Sequence, residues 1–125
     1  MRQPRLLGVL LVLVAQPAIA QWVKVSVTVV QTVYVDPDTI KRIGEVSRAL
    51  EMADLSHPGP NGARSMRILS EYDCQEQKSR MLQITAFSGA MGSGTIVGIE
   101  NKPTEWSYTP PKTSAASLLQ YACKR

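Results

Sequence analysis

The sequence predicts an α+β fold: an antiparallel sheet of about six strands, one C-terminal α-helix packed on a face of that sheet, and one disulfide. Three observations predict it. From residue 22 to residue 109, apolar and polar side chains alternate with period two in successive short segments divided by turn chemistry. Beyond Pro110-Pro111 the spacing becomes helical, with Ala115, Leu118, Leu119, Ala122 and Cys123 on one face. The chain has two cysteines, Cys74 within an alternating segment and Cys123 within the helical one.

The chain opens on Met1-Arg2-Gln3-Pro4-Arg5, an apolar run over 6–15, and Gln16-Pro17-Ala18-Ile19-Ala20. A basic start, a short apolar stretch and a small-residue A-x-A end predict a signal peptide over residues 1–20, leaving one domain over 21–125. The apolar run is too short to span a bilayer, and Lys24, Ser26 and Thr28 break up the valines that follow, so the mature chain is expected to have no transmembrane segment. Residue 21 is Gln, not a lipid-bearing cysteine, so release in soluble form is expected. The periplasm is the leading destination, with the cell surface or the medium as alternatives. Of 14 basic residues, Arg2 and Arg5 belong to the leader, which leaves a small excess over the 10 acidic ones. No basic block exceeds the pairs Lys41-Arg42 and Lys124-Arg125, which read as solvated ends of elements, and no nucleic-acid partner is expected.

The elements follow in order. Val23, Val25, Val27 and Val29 alternate with Lys24, Ser26 and Thr28, which reads as a half-buried strand. The pattern resumes over 32–35, and Asp36-Pro37-Asp38-Thr39 is a turn signal. Residues 40–43 return briefly to extended or irregular chain before Gly44. Over 45–54 both a helix and a strand fit; composition leans helical, whereas turn chemistry on both flanks favours a long strand. That strand would place Val46, Arg48, Leu50 and Met52 on one face and Ser47, Ala49 and Glu51 on the other. The loop over 56–62 reverses the chain into a strand over 64–75, where Met66, Ile68, Ser70, Tyr72 and Cys74 oppose Arg67, Leu69, Glu71 and Asp73. Further strands are expected over 80–88, 95–100 and 106–109, with a glycine-rich turn over 89–94. Thr113 or Ser114 can cap the final helix.

Two cysteines in an exported chain point to a structural disulfide. It closes a loop of about 50 residues, worth roughly 4 kcal/mol by chain entropy. A redox pair usually has a close C-x-x-C and zinc wants four ligands, whereas this chain has long spacing and one histidine. Cys74 shares a strand face with Ile68 and Tyr72, and Cys123 shares the apolar helix face, so two independent periodicities point both sulfurs inward.

No catalytic constellation stands out. His57 lies in a loop rich in proline and glycine, without a nucleophile or orienting group that sequence can place beside it. Asp36 and Asp38 flank Pro37 and read as turn formers, and Glu71 and Asp73 as a solvated sheet face. Gly92-Ser93-Gly94 with Gly98 lacks the dinucleotide fingerprint and the helix that would follow it. The aromatic residues are scattered without a basic stripe. No catalytic residue, metal or cofactor site is expected, and no binding residue can be assigned.

Several landmarks, in order, resemble the surface-adhesin protein E family: Trp22; Tyr34-Val35-Asp36 with Thr39-Ile40 and Gly44; Ser65; Glu71-Tyr72-Asp73-Cys74; Arg80; Met91-Gly92-Ser93-Gly94; Trp106 near Pro110; and Cys123. The resemblance implies an antiparallel sheet backed by a C-terminal helix, a disulfide between Cys74 and Cys123, and no catalytic activity. It also implies binding of host extracellular-matrix and plasma proteins and a capacity to form homodimers. Gln21 departs from the family's lipidated pattern. The expected function is therefore a non-catalytic exported binding protein that contacts host or envelope proteins. The alternative is a periplasmic small-ligand-binding or accessory module. A large exposed apolar patch favours the first, and a pocket with convergent polar groups the second.

Overall fold

A computed structural model of the chain describes residues 2–4, 8–13 and 20–124. The leader expected over 1–20 therefore lies in large part outside the described residues. Among those described, no helix is long and apolar enough to cross a membrane.

Seven antiparallel strands form one curled sheet: β1 (Val23–Val27), β2 (Gln31–Ile43), β3 (Val46–Leu55), β4 (Ser65–Asp73), β5 (Lys78–Phe87), β6 (Ile96–Glu100) and β7 (Ser107–Tyr108). Strands β1 to β6 pair in chain order, and β7 pairs with β5 on the edge that β6 also uses. From β1 to β6 each strand reverses into its neighbour, as expected of a sheet built from consecutive hairpins, and only β7 returns past β6 to reach β5. One helix, α1 (Ser114–Ala122), closes the chain. Of the ambiguous stretch over 45–54, Glu45 belongs to the turn and residues 46–54 are strand, lying between β2 on one side and β4 on the other. Gly44, at φ +60°, is the first of two residues joining β2 to β3, a position that tight hairpins reserve for glycine.

The turn signal Asp36-Pro37-Asp38-Thr39 does not end a strand. It forms a bulge inside β2, where the pairing with β3 jumps from Asp36–Leu50 to Lys41–Arg48. The turn chemistry is intact: Asp38 N–H donates to Asp36 Oδ1 at 3.1 Å, and the Thr39 hydroxyl donates to the Asp36 carbonyl at 2.6 Å. Thr39 Oγ1 also accepts from Leu50 N–H at 3.0 Å, replacing the ladder bond that the bulge removes.

Bulges also change the expected faces. The four valines after Trp22 do not share a buried face, because a register shift between Lys24 and Ser26 turns Val25 inward and leaves Val27 and Val29 exposed. In β5 the extra residue Leu82 brings Met81 opposite Ser70 and Ile84 opposite Ile68, so both fall on one face.

The core lies between α1 and the β1–β4 face of the sheet: Val33, Val35, Ala49, Ala53 and Tyr72 meet Leu118, Leu119 and Ala122. Burying each leucine contributes about 2 kcal/mol. Thr113 caps the helix, its hydroxyl accepting from Ala116 N–H at 3.1 Å. At the other end, the carbonyls that an α-helix leaves unpaired find partners in the sheet. Ser47 donates to Ala122 O at 2.6 Å, and Arg42 Nη1 to Cys123 O at 3.3 Å. Arg42 is thus a helix-end anchor and not merely a solvated cation. The disulfide Cys74–Cys123, with Cα atoms 5.6 Å apart, ties the same end of α1 to the loop leaving β4.

The opposite face is also partly covered. A 3-10 turn at Ala90–Gly92 folds over Met52 and Phe87, both buried. Gly92 has φ +77°, and a Cβ there would lie 2.9 Å from Met52 Cε.

Candidate functional site

Because α1 packs on β1, β2 and β3, the β4–β5 part of the same face is left open beside the helix's first turn. A cavity of about 220 Å³ occupies it. Its lining includes the apolar Val33, Ile68, Met81 and Leu118 and the polar Thr104 and Ser107. Thr104 is held there by reciprocal bonds, its N–H donating to Met81 O and its Oγ1 accepting from Met81 N–H, each at 2.9 Å.

Glu51 is the acid in this cavity and is only 2% exposed. Alternation puts Ser47, Ala49, Glu51 and Ala53 on the helix side of β3, and places Ile68, Ser70 and Tyr72 on the same side of β4. The Ser70 hydroxyl donates to Glu51 Oε1 at 2.7 Å, and the Tyr72 hydroxyl donates to Glu51 Oε2. Burial pushes the Glu51 pKa up to about 7 against the opposing pull of these two donors. Burial and the adjacent carboxylate also push Tyr72 above its ordinary value, which keeps it a hydrogen-bond donor.

On the other face Glu71 is 7% exposed, so it is not the solvated residue that alternation predicted. Arg80 donates to its Oε1 from Nε and Nη2 at 2.9 and 2.7 Å, and Arg48 donates to its Oε2 at 3.3 and 3.0 Å. Burial alone would raise the Glu71 pKa, but Arg80 and Arg48 hold it below the ordinary carboxylate range. Arg80 stacks on Trp106, 4.7 Å from the ring centre. The cluster joins β3, β4, β5 and the segment before β7.

A third feature is the exposed tip between β1 and β2, where Val27, Val29 and Val30 are 64%, 89% and 62% exposed. The tip is closed by hydrogen bonds: Thr28 Oγ1 accepts from Val30 and Gln31 N–H at 3.3 and 3.2 Å, and Thr28 N–H donates to Gln31 O at 2.8 Å.

The residues weighed for chemistry are dispersed. His57 is exposed in the β3–β4 loop, and the buried acid Glu51 has Tyr72 and Ser70 as its partners. Asp36 serves its turn, and Asp73 Oδ1 accepts from Gln75 and Glu76 N–H at 3.1 and 2.9 Å. The glycine-rich turn does not offer its amides to a phosphate, since Met91 N–H donates to Asp54 Oδ1 at 3.0 Å and Gly92 N–H to Ser65 Oγ at 2.8 Å. Among the described residues no group of His, Cys, Asp or Glu could hold a metal ion. Glu51 escaped sequence reasoning. Its one signal was its place on the same side of a strand as Ala49 and Ala53.

A curled antiparallel sheet clasping a disulfide-tied helix, with a side cavity and an apolar tip, defines a small α+β module. The model of the family described as surface-adhesin protein E matches residues 22–124, and the chain belongs to that family. A structure of Haemophilus influenzae protein E in its crystal form II superposes with a TM-score of 0.64 at 16% identity, covering 86% of this chain and 90% of that one. A structure of protein E from non-typeable Haemophilus influenzae gives a TM-score of 0.58 at 16% identity, covering 83% and 76%. At this identity the likeness speaks for the fold. Among curated proteins no match was found. Membership in a surface-adhesin family marks the chain as an exported or surface protein.

Proposed function

We propose that this protein is a non-catalytic exported binding module whose β1–β2 tip seats in a protein partner. Residues 1–20 serve as the export signal and residues 21–125 form the binding domain. The partner is a host matrix or plasma protein if the chain reaches the surface or medium, or an envelope protein if it stays in the periplasm. The carrying observation is the hydrogen-bonded tip, which presents Val27, Val29 and Val30 to solvent. Such a tip loses little conformational freedom on binding, and side chains this exposed bury new apolar area when a partner closes over them. Family membership supports the same reading. Pairing of two copies belongs to it as well, with sedimentation of the exported protein as its test.

The double variant Val29→Asp/Val30→Asp tests the reading. Solid-phase binding to a panel of extracellular-matrix, plasma and envelope proteins should fall at least about tenfold, since each valine contributes roughly 1 kcal/mol when buried. The melting curve should stay in place, because neither side chain packs on the core. Undiminished binding overturns the proposal. Fractionation into periplasm, outer membrane and medium separates the host from the envelope partner.

A further inference from the structure

We propose that the cavity beside the first turn of α1 binds a small organic amine, with its ammonium against Glu51 and its hydrocarbon body against Ile68, Met81 and Leu118. This site lies on the sheet face, not at the β1–β2 tip, and the inference does not depend on the partner proposed there.

A carboxylate offers about four acceptor positions. Ser70 and Tyr72 each supply one donor, one to each oxygen. A further partner for this group must therefore donate, and a cation does so best. Among the described residues lining the cavity, no free cation meets that need. The ionisable residues lining the cavity are Glu51 on β3, Tyr72 on β4 and Arg80 on β5, while β2, β7 and α1 contribute none. Arg80 commits its guanidinium to Glu71 and to the ring of Trp106. An ionised Glu51 is thus held in the cavity by hydroxyl donors alone, and burial makes that form costly. An ammonium supplies the missing charge. Apolar walls select the remainder of the ligand. A cavity of about 150 Å³ suffices for benzene, so one of about 220 Å³ takes a ring with an aminomethyl arm.

Capture of the cation is linked to loss of the Glu51 proton. A primary amine stays protonated near neutrality, so its affinity should rise as Glu51 ionises.

Benzylamine and benzyl alcohol, titrated calorimetrically into the exported protein, test this. Benzylamine should bind at least about tenfold more tightly than the alcohol above neutrality, the margin of one charge-assisted hydrogen bond. For an acid titrating near 7, its affinity should rise about tenfold from roughly pH 6 to 8. Glu51→Gln should abolish both the preference and the pH dependence. Ala115→Leu, which enlarges a lining side chain on α1 and leaves the carboxylate in place, should abolish binding of both compounds. Equal affinity for amine and alcohol, amine binding indifferent to pH, an amine preference that survives Glu51→Gln, or amine binding that survives Ala115→Leu would each overturn the proposal.

Discussion

The hydroxyl of Ser47, on β3, donates a buried hydrogen bond of 2.6 Å to the carbonyl of Ala122, in the last turn of α1. These residues are 75 positions apart in sequence, and Ser47 is wholly buried. The bond satisfies a helix-end acceptor that packing has removed from water. Beside it stand the Arg42 contact with Cys123 O and the Cys74–Cys123 disulfide, so three unlike interactions fix one end of one short helix.

Ser47→Ala should therefore destabilise the domain by about 2 kcal/mol, the cost of a buried acceptor left without its donor. Urea unfolding checks this. A loss below about 0.5 kcal/mol would mean that the Ala122 carbonyl finds another partner.

Cys123→Ser should cost about 2–5 kcal/mol by freeing the unfolded chain from its cross-link. Reductant should lower the wild-type unfolding midpoint to near that of the variant and leave the variant unmoved. A wild-type midpoint unaffected by complete reduction would contradict the staple.

Glu51 makes stability depend on pH in an unusual sense for a carboxylate. Its folded pKa, about 7, lies above the ordinary 4.5, so the fold favours the protonated form. The stabilisation is complete below 4.5 and disappears as pH rises through 7. A shift of this size corresponds to about 3 kcal/mol between those limits. Glu51→Gln should lack that decline, so the wild-type minus variant difference in unfolding free energy, followed across this range, isolates it. A flat difference would show that Glu51 titrates normally.

Glu71 acts in the opposite direction. Its pKa is held below 4.5, so its contribution is present above that value and vanishes as pH falls through the folded pKa. Arg80→Ala should cost about 1–2 kcal/mol near neutrality, discounted because the Arg80 side chain is 32% exposed. The loss should shrink in acid, where the protonated carboxyl no longer needs its arginines. Unfolding curves of both proteins at neutral and acid pH check this; a loss that does not change with pH would place its origin in the Trp106 stacking.

The period-two segments, the helical tail and the inward cysteines were legible from local pattern alone, because alternation and helical spacing record how side chains meet a core. So were the family landmarks, most of which lie at turns, in the core or in the bridged clusters. Which face of β3 receives the helix was not legible. Val46, Leu50 and Met52 mark one face as the more apolar, yet α1 lies on the other, against Ser47, Ala49 and Ala53. Small residues let the helix approach closely, and the Ala90–Gly92 turn covers Met52 on the far side. Both faces are thus partly buried, and alternation loses its meaning as an inside–outside signal.

By itself the sequence determined an antiparallel sheet, a capped terminal helix, a single cross-link between them and the family. Only the tertiary structure decided that Glu51 would face Ser70 and Tyr72 in a cavity, and that Glu71 would lie under two arginines. Those relations depend on strand register: the unbroken β3–β4 pairing sets Glu51 beside Ser70 and Tyr72 and Arg48 beside Glu71, and the β4–β5 pairing, bulged at Leu82, sets Arg80 beside Glu71. One inserted residue, as at Leu82, reverses which face every later side chain of its strand occupies, and the alternation over 80–88 does not show where it falls.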